Sequence, residues 1–113
     1  MDNNIKKLIS KSKLTKEEMR DFLAKLEVAD VKLEHSRAYR TLMNEIRRNL
    51  LKFIGYEVRC MDELKKEFKL EDDQILYHLS MLKQCLYIIE SREGWKSTPK
   101  GLGFLENAKM GNY

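Results

Sequence analysis

The sequence has little proline and little glycine: Pro99 is its one proline, and glycine occurs five times in 113 residues. These two residues interrupt helices more than any others, so their scarcity favours a mainly helical chain. No apolar run approaches the roughly 20 residues of a transmembrane helix. The N-terminus also lacks the long apolar segment of a secretory signal. We therefore expect a cytoplasmic protein that makes no membrane contact.

Cysteine and histidine are equally scarce, with two of each. Cys60 and Cys85 are too few for a disulfide framework, and His35 and His78 occur singly rather than in the close pairs that ligate zinc. The sequence also contains no glycine-rich phosphate loop. We therefore expect no metal, no cofactor and no enzymatic activity. Both cysteines are expected to be buried apolar thiols rather than a redox pair.

The charges are unevenly distributed along the chain, whose net charge is +4. Residues 1–20 carry six basic and three acidic side chains, a net +3, whereas residues 57–73 carry four basic and seven acidic side chains, a net −3. Basic ends around an acidic middle are compatible with a nucleic-acid partner but do not establish one. With 42% hydrophobic residues, the chain can bury one modest core.

The first third of the chain is predicted to hold one capped helix. The first dozen residues are basic, and we expect them to be frayed. Thr15 and Glu18 have the spacing of a capping box, in which each side chain accepts a hydrogen bond from the backbone amide of the other. The helix then continues through apolar residues at helical spacing, Met19, Phe22, Leu23 and Leu26.

A second and longer helix is predicted from Ser36, which can cap it, to Gly55, which tolerates the left-handed turn that ends many helices. The residues before it, to about His35, are compatible with helix or loop. Its apolar residues recur at steps of four, three, four and three, and they form one stripe: Tyr39, Met43, Ile46, Leu50 and Phe53.

Shorter elements are predicted after Gly55. Tyr56–Cys60 is a possible short strand, and Asp62 can cap a helix that carries Leu64 and Phe68. The following helix runs to about Gln84, with three residues at i, i+4 and i+7 facing inward: Ile75, Leu79 and Leu82.

A hairpin and a last helix are predicted at the C-terminal end. Leu86–Ser91 and Trp95–Ser97 favour strands around a turn at Glu93-Gly94. Thr98 is suited to cap the last helix, and Pro99 is suited to its first position.

This order of elements resembles that of winged helix-turn-helix domains. Leu64–Leu70 and Ile75–Leu82 resemble the first helix and the recognition helix of ArsR-like and MarR-like regulators of bacteria and archaea, and Ser91–Gly101 resembles their wing. The resemblance covers roughly residues 42–108. It implies a mainly α fold with a small β-hairpin, in which residues 36–113 form the winged helix-turn-helix domain. Residues 1–35 would then be a basic helical extension.

The resemblance also implies a homodimeric transcription regulator that binds double-stranded DNA. Residues on the outer faces of the recognition helix could reach the major groove. Basic side chains at the end of this helix and in the wing could contact the phosphates of the DNA backbone. For His78, structural support of the fold is an equally good interpretation. The residues expected to contact DNA are Gln74, Tyr77, His78, Met81, Lys83, Arg92 and Lys96.

Two features depart from these regulators and favour an alternative function. Glu71-Asp72-Asp73 stands where they usually have serine or threonine, and nothing from Gln74 to Leu82 is charged. The acids suit the positive end of the helix dipole but would repel phosphates. Together with an outward Leu76, they favour a winged-helix module that binds protein and not DNA.

The N-terminal helices are the expected dimer surface. Many of the regulators dimerise through an extra C-terminal helix, and we expect this chain to use its N-terminal helices instead. The sequence indicates no particular small-molecule effector. The residues expected at the dimer interface are Phe22, Leu26, Tyr39, Met43 and Ile46.

Overall fold

The computed structural model describes the backbone of residues 3–109 and the side chains of residues 6–108. This part of the chain is mainly helical with a small antiparallel hairpin, as the sequence predicts. Its helices and strands are α1 (Asn3–Lys11), α2 (Lys16–Glu27), α3 (Val31–Leu42), α4 (Glu45–Ile54), α5 (Met61–Phe68), α6 (Asp72–Gln84), β1 (Ile88–Glu90), β2 (Trp95–Ser97) and α7 (Pro99–Lys109).

The N-terminal helices differ from expectation at their start. Within the first dozen residues, which we expected to be frayed, Asn3–Lys11 forms α1, because Leu8 packs against the core and α1 lies along α7. The capping box of α2 is confirmed: Thr15 Oγ1 accepts from the Glu18 amide at 3.1 Å, and Glu18 Oε1 accepts from the Thr15 amide at 2.8 Å. The N-terminal helices are therefore packed onto the rest of the fold.

The single long helix expected from Ser36 is instead two helices. Asn44 separates them, because its side-chain oxygen accepts from the Arg47 amide at 3.1 Å and caps α4. Ser36 lies inside α3, which is capped by Asp30 through a 2.9 Å bond from the Leu33 amide. The domain boundary predicted after residue 35 falls within α3.

The start of α5 also differs from expectation. α4 ends at Gly55 as predicted, with a φ of 47° that favours glycine. The cap of α5 is Cys60 rather than Asp62, and Asp62 lies in the first turn, where its charge suits the helix dipole. Glu63 Oε1 accepts from the Cys60 amide at 3.1 Å and fixes this start.

The hairpin is confirmed, and Trp95 lies next to its turn. β1 and β2 are antiparallel, and Trp95 is paired with Glu90. On its other side Trp95 forms a bridge with Arg59, through backbone bonds of 2.7 and 3.0 Å. The strand expected at Tyr56–Cys60 is thus reduced to this one bridge. The Trp95 side chain is buried in the core cluster and holds the hairpin against it.

The core lies between α4, α5, α6, the hairpin and α7. Its largest fully buried aliphatic side chains are Leu50, Leu51, Ile54, Leu64, Ile75, Leu79, Leu82, Ile88 and Leu102. Thr98 is also buried and caps α7, accepting at Oγ1 from the Gly101 amide at 3.2 Å. Within the described part of the chain, no helix is long and apolar enough to cross a membrane.

Candidate nucleic-acid interface

The rotation of α6 about its axis is fixed by its buried side. Ile75, Leu79 and Leu82 have no exposed surface, which confirms the inward face predicted from their spacing. Turning the helix would expose all three, at a cost of about 1.5–3 kcal/mol for each side chain. The opposite face of α6 is therefore held outward.

Four outward residues of α6 are spaced by three, four and three positions, and we call this face the outer stripe: Gln74, Tyr77, Met81 and Gln84. Helix geometry places them in one row about 15 Å long. The two glutamines and Tyr77 are exposed, and Met81 is half-buried. The row offers amides, a phenol and a thioether, which are groups that can contact base edges.

His78 lies at the border between the outer stripe and the core. Its Nδ1 accepts a 3.1 Å hydrogen bond from Arg47 Nε of α4. Burial, and then the Arg47 cation, lower the pKa of His78. The imidazole is therefore neutral at neutral pH, with its proton on Nε2, and it supports the contact between α4 and α6.

Arg47 joins His78 to the outer stripe. Its guanidinium lies 5.4 Å from the centre of the Tyr77 ring, and the Tyr77 and His78 rings are 5.4 Å apart. Arg47 is only 8% exposed. The sequence did not indicate these two contacts of Arg47, because its partners are on another helix about 30 positions away. Tyr77 is held between these two contacts and remains 56% exposed.

The acidic start of α6 is partly neutralised. Asp72 forms a 2.7 Å ion pair with Lys65 of α5, while Asp73 accepts from the Gln74 amide at 3.0 Å. Gln74 Oε1 in turn accepts from the Glu71 amide at 3.2 Å. The side-chain carbonyl of Gln74 is therefore used in capping the helix, which leaves its side-chain NH₂ as the group that could donate to a partner.

Two of the predicted phosphate contacts remain at the surface. Lys83 is exposed but lies about half a turn around α6 from Gln74, and it is 3.9 Å from Glu90. Arg92 is exposed in the turn of the hairpin. Of the two, Arg92 is better placed to contact a phosphate of a DNA backbone that runs beside the hairpin.

Lys96 is not available for the predicted phosphate contact. It is 5% exposed, and its Nζ donates to Glu18 Oε1 at 2.8 Å. Burial acts to raise the pKa of Glu18, but hydrogen bonds from Lys96 and Thr15 outweigh it and hold that pKa below its usual value. Lys96 thus fastens α2 to β2, and the prediction that it binds DNA is withdrawn.

The predicted dimer residues separate into two groups. Phe22 is 3% exposed, and Ile46 is half-buried against the core, so both are used mainly in packing within the chain. Tyr39 and Met43 are 69% and 62% exposed. Leu26 and Val31 are also exposed and line the same groove as these two, and we call the four side chains the apolar patch: Leu26, Val31, Tyr39 and Met43.

The groove that the apolar patch lines has a volume of about 570 Å³. It lies between α2, α3 and α7, with Leu26, Met43 and Phe104 among its walls. Two opposite charges, Glu34 and Lys100, line it and are 3.7 Å apart. The groove and the patch form one largely apolar surface on the N-terminal helices.

Neither cysteine forms a disulfide. Cys85 is buried, as expected, with its Sγ 3.4 Å from Thr41 Oγ1, but Cys60 is partly exposed at the start of α5. Among residues 6–108, no cluster of three or more histidine, cysteine or acidic side chains could hold a metal ion.

Comparison with known proteins finds an archaeal relative. An uncharacterized protein from Archaeoglobus fulgidus is 33% identical over 72 residues, covering 64% of this chain and 83% of the relative. The chain belongs to the family of this archaeal protein. No protein-family model matches the chain, and no solved structure is significantly similar to it.

Proposed function

We propose that the protein is a homodimeric, DNA-binding transcription regulator that acts through a winged helix-turn-helix. The observation that carries the proposal is the outer stripe of α6. Its residues are outward and uncharged, on a helix whose rotation is fixed by a fully buried opposite face. A recognition helix needs this combination, since base contacts require side chains held in register with the groove.

The order of elements supports the same proposal. α4, the Arg59–Trp95 bridge, α5, α6, the hairpin and α7 follow one another as in a winged helix-turn-helix. Arg92 is at the tip of the hairpin, where a wing would meet the DNA backbone.

The homodimer is supported by the apolar patch. An exposed surface of this kind is typical of protein interaction sites. Obligate homodimers commonly bury more than about 2,000 Å² in total, and the patch with its groove would form the centre of such an interface. Light scattering at micromolar concentration tests this: we expect the mass of a dimer, and a monomer would contradict it.

An alternative function is a protein-interaction module, and one observation favours it. Leu76 is exposed on α6, one helical turn after Asp72 and Asp73. An apolar side chain beside acids suits a basic and apolar protein surface better than a phosphate backbone.

Selection of bound sequences from a pool of random duplex DNA, at physiological salt, tests the proposal. We expect a preferred site to be enriched. Replacing Gln74 with Ala, or Tyr77 with Phe to remove the hydroxyl alone, should narrow the gap between that site and random DNA by about 1–3 kcal/mol for each hydrogen bond to a base that the variant removes. No enrichment, together with no salt-dependent binding, would reject DNA binding and favour the interaction module.

A further inference from the structure

α3 and the C-terminal end of α6 border a small groove, and Thr41 of α3 contacts Cys85 at the end of α6. Its volume is about 280 Å³. The lining residues are Arg37, Arg40, Thr41, Met81, Gln84 and Cys85. Met81 and Gln84 belong to the outer stripe, so the groove continues that stripe at its C-terminal end.

Two arginines supply the charge of this groove. Arg37 and Arg40 are three positions apart on α3 and so share one face. Arg40 has no ion pair among residues 6–108, and Arg37 is 3.7 Å from Glu34 in a half-exposed pair. No carboxylate lines the groove in the described part of the chain. Thr41 and Cys85 contact one another at the floor and add no charge.

The groove resolves a problem posed by the outer stripe. The stripe is uncharged, and Glu71, Asp72 and Asp73 give its N-terminal end a negative potential. Phosphate affinity must therefore come from neighbouring elements. α3 places two cations at the opposite end of the stripe, where they also suit the negative end of the helix dipole.

We propose that the groove between α3 and α6 binds a phosphate of the DNA backbone, with Arg37 and Arg40 as its ligands and Gln84 as a further donor. Guanidinium groups pair with phosphate through two parallel hydrogen bonds, so two arginines on one face form a phosphate clamp. The inference rests on the proposed DNA-binding function. It adds where the DNA lies relative to α6: the DNA backbone passes the C-terminal end of this helix, away from Glu71, Asp72 and Asp73.

The salt dependence of binding to random duplex DNA tests the clamp. Each phosphate contact contributes about 0.9 to the slope of log K against log salt, so Arg37→Gln with Arg40→Gln should reduce its magnitude by about 1.8. Arg40→Gln alone should reduce it by about 0.9. The matched control is Arg20→Gln with Lys25→Gln, which removes two exposed charges from α2 and should change the slope much less. An equal change in the control would overturn the clamp.

One further double variant and a measurement of inorganic phosphate binding sharpen this test. Arg37→Lys with Arg40→Lys keeps both charges and should retain the slope while weakening affinity, because lysine lacks the paired geometry. Thermal unfolding checks that every variant folds; should the double glutamine variant fail, the single variant and the lysine variant decide. Binding of inorganic phosphate that depends on the two arginines, without any effect of these variants on duplex binding, would assign the groove to a free anion and overturn the proposal.

The clamp and the proposed function can fail separately. If wild-type protein binds random duplex with the arginine-dependent slope but selection enriches no sequence, the clamp stands and base recognition by α6 is wrong. If a preferred site is enriched but the salt slope is the same in wild type and in the Arg37 and Arg40 variants, the clamp is wrong and the proposed function stands. If the protein binds no duplex at all, both are wrong.

Discussion

Arg47 Nε donates a hydrogen bond to His78 Nδ1 across the contact of α4 with α6, at 3.1 Å. The bond can form only while Nδ1 carries no proton, so it selects the neutral imidazole with its proton on Nε2. It also provides a partner for a guanidinium that is only 8% exposed. Between the two interpretations of His78 that the sequence left open, the geometry favours support of the fold.

Replacing His78 with Ala should lower the free energy of unfolding by about 1–3 kcal/mol, because a buried donor of Arg47 loses its acceptor. His78→Asn supplies an oxygen acceptor near the former Nδ1 and should recover most of the loss. His35→Ala, at an exposed histidine, serves as the control and should unfold like wild type. Chemical denaturation measures all three. An asparagine variant as unstable as the alanine variant would show that the acceptor is not what His78 contributes.

Stability should fall as the pH drops through the range in which His78 titrates. Its pKa is lowered by burial and by Arg47, whereas an unfolded histidine has a pKa of about 6.5. Below about pH 6.5 the unfolded chain therefore binds a proton that the folded chain resists, and the free energy of unfolding decreases. His78→Asn should lose this part of the pH dependence. Above about pH 6.5, its free energy of unfolding should change with pH as that of the wild type does. If the curves of unfolding free energy against pH are parallel for wild type and His78→Asn at all pH values, the pH dependence does not come from His78.

Neutralising Asp73 should have opposite effects on DNA binding and on stability. Asp73→Asn removes a charge that repels phosphate, so binding to random duplex should tighten, most strongly at low salt. The same change should destabilise α6 by about 0.3–1 kcal/mol, since an acid in the first turn favours the helix dipole.

Glu27→Gln, an equal charge change on α2, is the control for Asp73→Asn and should tighten binding much less. Equal tightening in both variants would mean that only net charge matters. A wild-type protein without salt-dependent binding, together with an Asp73 variant that gains it, would show that the acids exclude DNA.

Two glycines of α7 should respond oppositely to substitution. A Cβ at Gly101 would overlap the carbonyl oxygen of Tyr87, whereas a Cβ at Gly103 would meet nothing closer than Leu8 Cδ1 at 3.8 Å. Gly101→Ala should therefore destabilise by about 1–3 kcal/mol, and Gly103→Ala should stabilise by up to about 1 kcal/mol through helix propensity. Thermal unfolding compares them. A Gly101→Ala variant as stable as wild type would contradict the close packing of α7 on the chain before β1.

Charges introduced in the apolar patch should dissociate the proposed dimer. Tyr39→Glu with Met43→Glu places like charges in the interface, and we expect a folded monomer by light scattering and circular dichroism. Leu76→Glu, on the exposed side of α6, should remain dimeric and is the control. These variants are better suited than removal of the N-terminal helices, because Leu8 and Phe22 are packed within the fold. A glutamate variant that stays dimeric would place the interface elsewhere.

Features set by short-range physics were predicted correctly from the sequence. The capping box of Thr15 and Glu18 depends on residues three positions apart, and the inward face of Ile75, Leu79 and Leu82 depends on helical periodicity alone. The turn before Trp95 follows from Gly94, which adopts a φ of 144°. Each of these signals is complete within about ten residues, so no distant contact is needed to interpret it.

The break between α3 and α4 was predictable in principle but was missed. Asn44 is a strong capping residue and is followed by an acid, Glu45, which is a signal for a helix start. The apolar stripe from Tyr39 to Phe53 continues across the break, and this periodic pattern favoured one continuous helix over the capping signal at Asn44. The periodic pattern could not distinguish one helix from two.

The candidate site depended on contacts that only the tertiary structure decides. A lysine in a hairpin is usually exposed, as the sequence suggested for Lys96. Its partner Glu18 is 78 positions away, and the pairing of the two side chains lets Lys96 be buried. Arg47 likewise gains its role from His78 and Tyr77 on another helix. The sequence determined which faces of the helices are apolar. The packing of α2 on the hairpin, and of α3 and α4 on α6, decided which charges stay in water, because an ion pair or hydrogen bond offsets the cost of burial only where the fold brings both partners together.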